Sequence, residues 1–121
     1  MTSSTPALNT PSERMRFFFN TIAKDKKIWL LVDEHGSVLL STDEDECVPV
    51  WPSEDIARQQ ATEDWQEMQP EAISIAKWRS RWTTGLEEDE LAVIVYPSLD
   101  GEGIILSPDD FDFELEKIVR R

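Results

Sequence analysis

The sequence predicts one α+β domain in the order α-β-β-β-α-α-β-β-α, with a largely antiparallel sheet of four or five strands and helices packed against it. Three observations predict it. Two apolar runs, Ile28-Trp29-Leu30-Leu31-Val32 and Leu91-Ala92-Val93-Ile94-Val95-Tyr96, each enter a turn followed by a second short apolar run, which reads as hairpins and antiparallel pairing. Two helix starts of one form, Thr10-Pro11-Ser12-Glu13 and Ser107-Pro108-Asp109-Asp110, flank the strand-rich middle. A chain of 121 residues, 40% hydrophobic, suits one core and cramps two.

Each element has a local cause. Residues 1–9 are small and polar and are expected to form a disordered tail, leaving 10–121 as the single domain. Thr10 caps, Pro11 takes the first helical position, and Glu13 can reach back to the cap. Met15, Phe18, Phe19 and Ile22 then share one face. The helix should end near Lys24, Lys26 and Lys27, whose charges suit its C-terminal dipole. The first strand is apolar at every position, so both its faces should be covered and the strand central. Asp33-Glu34-His35-Gly36 turns the chain, with Gly36 free to take positive φ. Val38-Leu39-Leu40 pairs back. Cys47-Val48-Pro49-Val50-Trp51 reads as a third strand. Pro49 cannot donate to a ladder, so an edge or a bulge is expected there.

Pro52 stops that strand and Ser53 caps a helix with Glu54 and Asp55 in its first turn. Ala57, Ala61, Trp65 and Met68 form its stripe, and Pro70 closes it. A further helix over 74–84 places Ile75, Trp78 and Trp82 on one face, with Gly85 as its cap. The second apolar strand stops at Pro97. A turn holding Gly101 and Gly103 leads to Ile104-Ile105-Leu106. The last helix carries Phe111, Leu115, Ile118 and Val119.

Charge excludes more than it assigns. The chain has 25 acids, 12 bases and a net charge of -13, which disfavours a nucleic-acid partner through repulsion by the phosphate backbone. From Asp33 to Glu67 there are eleven acids and one base; from Glu87 to Glu114 there are ten acids and no base. Helix dipoles account for acids in first turns. They do not account for Asp43, Glu44, Asp45 and Glu46, or for the run beginning Glu87 and Glu88, both read as loops. No run approaches the roughly 20 apolar residues that span a bilayer, and the N-terminus lacks a secretory signal. A cytoplasmic location with no membrane partner is expected. One Cys and one His exclude a disulfide framework and a His-rich or all-Cys metal site.

Several of these pieces carry a family resemblance. One half is the Trp-containing first strand ending in Asp-x-x-Gly, then Val48-Pro49-Val50-Trp51-Pro52 before a helix. The other is Trp82-Thr83-Thr84-Gly85-Leu86, Val93-Ile94-Val95-Tyr96-Pro97, Asp100-Gly101-x-Gly103 and Ser107-Pro108. Over roughly Ser12 to Ile118 the chain resembles the bacterial family known as domain of unknown function 2750. The resemblance implies a small bacterial single-domain protein. It brings no activity, cofactor or catalytic residue with it.

No nucleophile–base set, metal set or phosphate loop is present, so no catalytic, metal or cofactor residues are assigned. Gly101-Glu102-Gly103 lacks the third glycine and the following helix of a dinucleotide site. His35 reads as a surface turn residue. Cys47 with His35 makes a poor nucleophile pair, since the acids at 43–46 would raise the thiol pKa. Trp29 and Trp65 read as core. Trp51 or Trp82 is the choice of anchor if any aromatic binds a partner.

The expected function is therefore a protein-interaction or regulatory module. It would bind a basic protein partner through acidic loops or a sheet edge, as an immunity-type protein neutralises a basic toxin or nuclease. Candidate partner-binding residues are Trp51, Trp82, Asp43, Glu44, Asp45, Glu46, Glu87 and Glu88. A homodimer is left open. The alternative is a small hydrolase-type enzyme using carboxylates, for instance Asp33 with Asp100. A concave apolar site holding a carboxylate of raised pKa would favour the enzyme.

Overall fold

A computed structural model describes residues 10–34, 36–41, 46–62, 65–98 and 102–120. The proposed tail at 1–9, His35, Asp43, Glu44, Asp45 and Asp100 lie outside the described residues. The class is α+β.

Helix α1 (Pro11–Asp25) begins on the expected capping box, with Glu13 N–H donating to Thr10 Oγ1 and Thr10 N–H to Glu13 Oε1. It ends at Lys26, which is left-handed at φ 61°. β1 (Lys27–Asp33) follows. Its even positions Ile28 and Leu30 enter one core cluster, and Leu31 enters a second. Both faces are covered, as the unbroken apolar run requires. Gly36 takes φ 122° at the turn. The returning chain splits into β2 (Gly36–Ser37), paired with β1, and β3 (Leu40–Ser41), paired with β4 (Glu46–Val50).

Helix α2 (Glu54–Gln60) starts at Ser53 as expected but stops ten residues before Pro70. Instead of the helix continuing to Pro70, residues 69–74 form a strand, β5 (Gln69–Ser74), antiparallel to β1. The stripe expectation was half right. Ala57, Ala61, Trp65 and Met68 do pack on one cluster, but they reach it from a helix, a turn and a strand approach. Next, α3 covers 75–88 as one rod: Ile75–Lys77, a π-helical turn Trp78–Trp82, and Thr83–Glu88. Gly85 is therefore inside the helix, at the start of its last turn, rather than a cap. Glu90, left-handed at φ 59°, supplies the terminal turn, and Leu91 N–H donates to Leu86 C=O. Strands β6 (Ala92–Val95) and β7 (Ile104–Leu106) form the second hairpin, and α4 (Pro108–Val119) closes the chain from its Ser107 cap.

The strands form two sheets, β2-β1-β5 and β3-β4-β6-β7, rather than one of four or five. β1 and β6 are internal, as expected. β4 is internal too, and it runs parallel to β6. A two-way hydrogen-bonded bridge joins the sheets: Trp29 N–H donates to Trp51 C=O and Trp51 N–H to Trp29 C=O, at 3.0 and 2.9 Å.

The two strand prolines obey one rule. Tyr96 N–H bonds Val50 C=O, so the even residues of β4 face β6 and the odd ones face away. Cys47 meets β3 and Trp51 meets β1. Pro49 falls between them, where β4 changes partner and no donor is needed. In β5, Ile75 N–H reaches Lys26 C=O, so Pro70 points outward from an edge strand, where its missing N–H breaks no ladder.

The larger core cluster joins α1, α3 and α4 to β1, β4 and β6 around Phe18, Trp78 and Phe111. Trp78 meets Phe111 edge-on with centroids 5.3 Å apart. The smaller cluster, around Trp51, sits under α2. Among the described residues no helix is long and apolar enough to cross a membrane.

Candidate functional site

The parallel register of β4 and β6 decides where the acids meet. Cys47 pairs with Ala92, so Glu46 and Leu91, one residue earlier on each strand, lie at the same end of the sheet. The acidic run at 87–90 immediately precedes Leu91. Glu46, Glu88, Asp89 and Glu90 are exposed. Glu87 and Glu88 lie not in a loop, as the sequence suggested, but in the last turn of α3. There the macrodipole disfavours negative charge, and no base sits in that turn.

Glu87 records the crowding. A hydrogen bond with Asp109, then the charge of Asp109, raise its carboxyl pKa from the ordinary value; desolvation and Asp112 add to this. Asp112 itself accepts from Arg79 Nε at 2.9 Å. The sign follows from linkage. A carboxyl with a raised folded-state pKa contributes stability that is present below its ordinary pKa and lost as pH rises through the raised one. Glu87→Gln should therefore gain stability on its parent as pH is raised. Thermal melts of both proteins from acid to neutral pH test this; a difference that stays constant with pH contradicts it.

A cleft opens beside this acidic end. It holds about 260 Å³ and lies between α3, β2 and β4. Arg81, Trp82, Gly85, Leu86 and Asp89 line it from one side of α3 and its cap, with Ser37, Val48 and Leu91 opposite. Trp82 is half-buried and stacks on the fully buried Trp78, with centroids 4.9 Å apart and planes 12° from parallel. The π-turn between these two tryptophans sets that overlap, and insertions of this kind recur at functional sites. A Cβ at Gly85 would meet nothing within 4 Å, so this glycine leaves the cleft open. Neither Arg81 nor Asp89 has a side-chain hydrogen bond or ion pair among the described residues.

The expected site residues fall in three groups. Glu46, Glu87 and Glu88 come together at one end, with Trp82 in the adjoining cleft. Asp43, Glu44 and Asp45 lie outside the described residues. Trp51 is the correction: it is fully buried, edge-on to Trp65 at 6.2 Å, and offers no surface for an anchor. Asp89, Leu91, Gly85 and Arg81 were missed as cleft residues. The Trp82-x-x-Gly85-x-x-x-Asp89 spacing could have found them had the helix been carried through Gly85. Asp33 is exposed at the end of β1, and its suggested partner Asp100 is not among the described residues. Cys47 is buried. Among the described residues no group of three His, Cys, Asp or Glu side chains is placed to hold a metal ion.

A mixed α+β domain with an acidic sheet end and a small cleft beside it is the class these features define. The family model for proteins of unknown function, DUF2750, matches residues 15–115, and the chain belongs to that family. No curated protein matches it.

Proposed function

We propose that the protein is an interaction module whose acidic end, at the starts of β4 and β6, receives a basic protein partner. The observation that carries this reading is the placing of acids against the fold's own electrostatics. Glu87 and Glu88 oppose the α3 dipole, Glu87 is crowded by Asp109, and Glu46 adds to the same end. Local rules broken without compensation inside the fold are commonest where function requires them. A basic partner would relieve the repulsion and be steered by it, with an association rate that falls as salt screens the field. Immunity-type neutralisation of a basic toxin or nuclease is one relation of this kind.

The test is the triple variant Glu46→Gln, Glu88→Gln, Glu90→Gln against an oligo-lysine peptide. Stopped-flow association should slow by about tenfold at low salt, since steering of this type contributes roughly 10–1000-fold. The dependence on ionic strength should flatten. The variant should melt no lower than its parent, because the removed charges are unfavourable or solvent-exposed. An unchanged rate and salt slope would overturn the proposal.

A further inference from the structure

Resting on that acidic-end reading, we propose that the cleft beside it is the anchoring subsite and takes the side chain of one arginine from the basic partner. Its size comes first. At about 260 Å³ it lies below the roughly 300–1,000 Å³ typical of whole small-molecule sites, and suits a single long side chain. Its walls combine apolar surface with one carboxylate. Val48, Leu86 and Leu91 with the indole of Trp82 form the apolar part, and Asp89, one of the 87–90 acids, supplies the carboxylate. Side chains alternate along a strand, so Glu46 lies on the same face of β4 as Val48, one step toward that acidic end.

Arginine fits this combination better than other residues. Its stem covers apolar surface while its head stays polar. Its planar guanidinium stacks on an indole and bonds a carboxylate in a fork, which lysine's ammonium does not. One face of Trp82 is taken by Trp78, which holds the ring still for a ligand on its remaining surface. Arg81 is the one base in the cleft lining. It sits eight residues before Asp89, roughly 12 Å along the helix axis at 1.5 Å per residue. That distance gives the subsite a direction. The incoming cation goes to the Asp89 end, and Arg81 is left for a backbone carbonyl or carboxylate of the partner chain.

Gly85 supplies a test that leaves every charge in place. Gly85→Leu pushes its side chain into open cleft space, whereas Gly85→Ala extends only a methyl group and should raise the melting temperature as a helix-interior replacement. Three acetylated peptides of equal length serve as probes: oligo-arginine, oligo-lysine and the neutral isostere oligo-citrulline. The full-length protein should bind oligo-arginine more tightly than oligo-lysine, and oligo-citrulline weakly or not at all. Oligo-arginine should also shift the Trp82 indole N–H resonance, identified by its loss in Trp82→Phe. Gly85→Leu should weaken oligo-arginine binding about tenfold, or 1.4 kcal/mol, and leave the salt slope unchanged, while the smaller Gly85→Ala should weaken it less. The cleft assignment is overturned alone if Gly85→Leu binds oligo-arginine like its parent while the Glu46, Glu88, Glu90 variant does not. Both readings are overturned if no basic peptide binds, or if the citrulline peptide binds equally well.

Discussion

Replacing Arg14 with methionine is expected to cost about 2–4 kcal/mol of stability, since stranding buried hydrogen-bond partners costs about 1–3 kcal/mol each. Arg14 lies on α1, yet it is 5% exposed. Its Nε donates to Tyr96 C=O at 3.0 Å and its Nη2 to Glu102 C=O at 2.8 Å. These carbonyls stand on either side of the turn between β6 and β7, so one side chain ties the first helix to the second hairpin. The carbonyl bonds outweigh the ion pair: Glu102 Oε1 is 3.8 Å away on a side chain 62% exposed, where solvent screening leaves little. Tyr96 adds a reason. It holds φ 45° directly before Pro97, a conformation that costs a non-glycine residue about 1–3 kcal/mol unless its surroundings impose it. Arg14→Lys should recover only part of the loss, because one ammonium cannot reproduce the guanidinium's fork. Glu102→Ala should cost under about 1 kcal/mol, as exposed pairs do. Urea denaturation of the three variants decides it. An Arg14→Met midpoint matching the parent's, or a Glu102→Ala loss equal to that of Arg14→Met, would contradict the account.

Trp51→Ala should cost about 3–5 kcal/mol, the range for truncating a buried tryptophan. The indole is fully buried at the centre of the smaller cluster, against Leu31, Val38 and Ala57, directly where the backbone bridge joins the two sheets. Its removal opens a cavity between α2 and that joint. The ring N–H has no hydrogen-bond partner among the described residues, and an unpaired buried donor costs about 1–3 kcal/mol. Trp51→Phe should therefore lose much less than Trp51→Ala, since it removes the orphaned group along with part of the volume. Chemical denaturation checks both. A surface anchor would behave otherwise: its truncation would spare stability and weaken binding, so Trp51→Ala with an unchanged midpoint would restore the anchoring role to this residue.

Some of this was legible residue by residue. The Thr10–Glu13 box, the Ser53 and Ser107 caps and Gly36 each act within four residues of chain, and each appears where expected. The failures share a cause. Pro70 and Gly85 were read as stops from intrinsic preference, which tertiary context overrides. Pro70 is harmless on the outward side of an edge strand. Gly85 leaves a cleft rather than ending a helix. The burial of Arg14 was not legible, because a sequence does not show that two carbonyls more than 80 residues away need its donors.

The acidic site divides in the same way. That the chain carries a surplus of acids in two stretches was fixed by composition alone. That Glu46 and the 87–90 run share one end was not, since parallel pairing of β4 with β6 is a contact across 45 residues. The α+β class, the two doubly apolar strands and the three helix starts belong to the sequence, because caps, turns and burial periodicity are short-range physics. The second sheet, the partner switch at Pro49 and the cleft on α3 belong to tertiary structure, because each depends on which strand finds which neighbour, and local preference does not encode that choice.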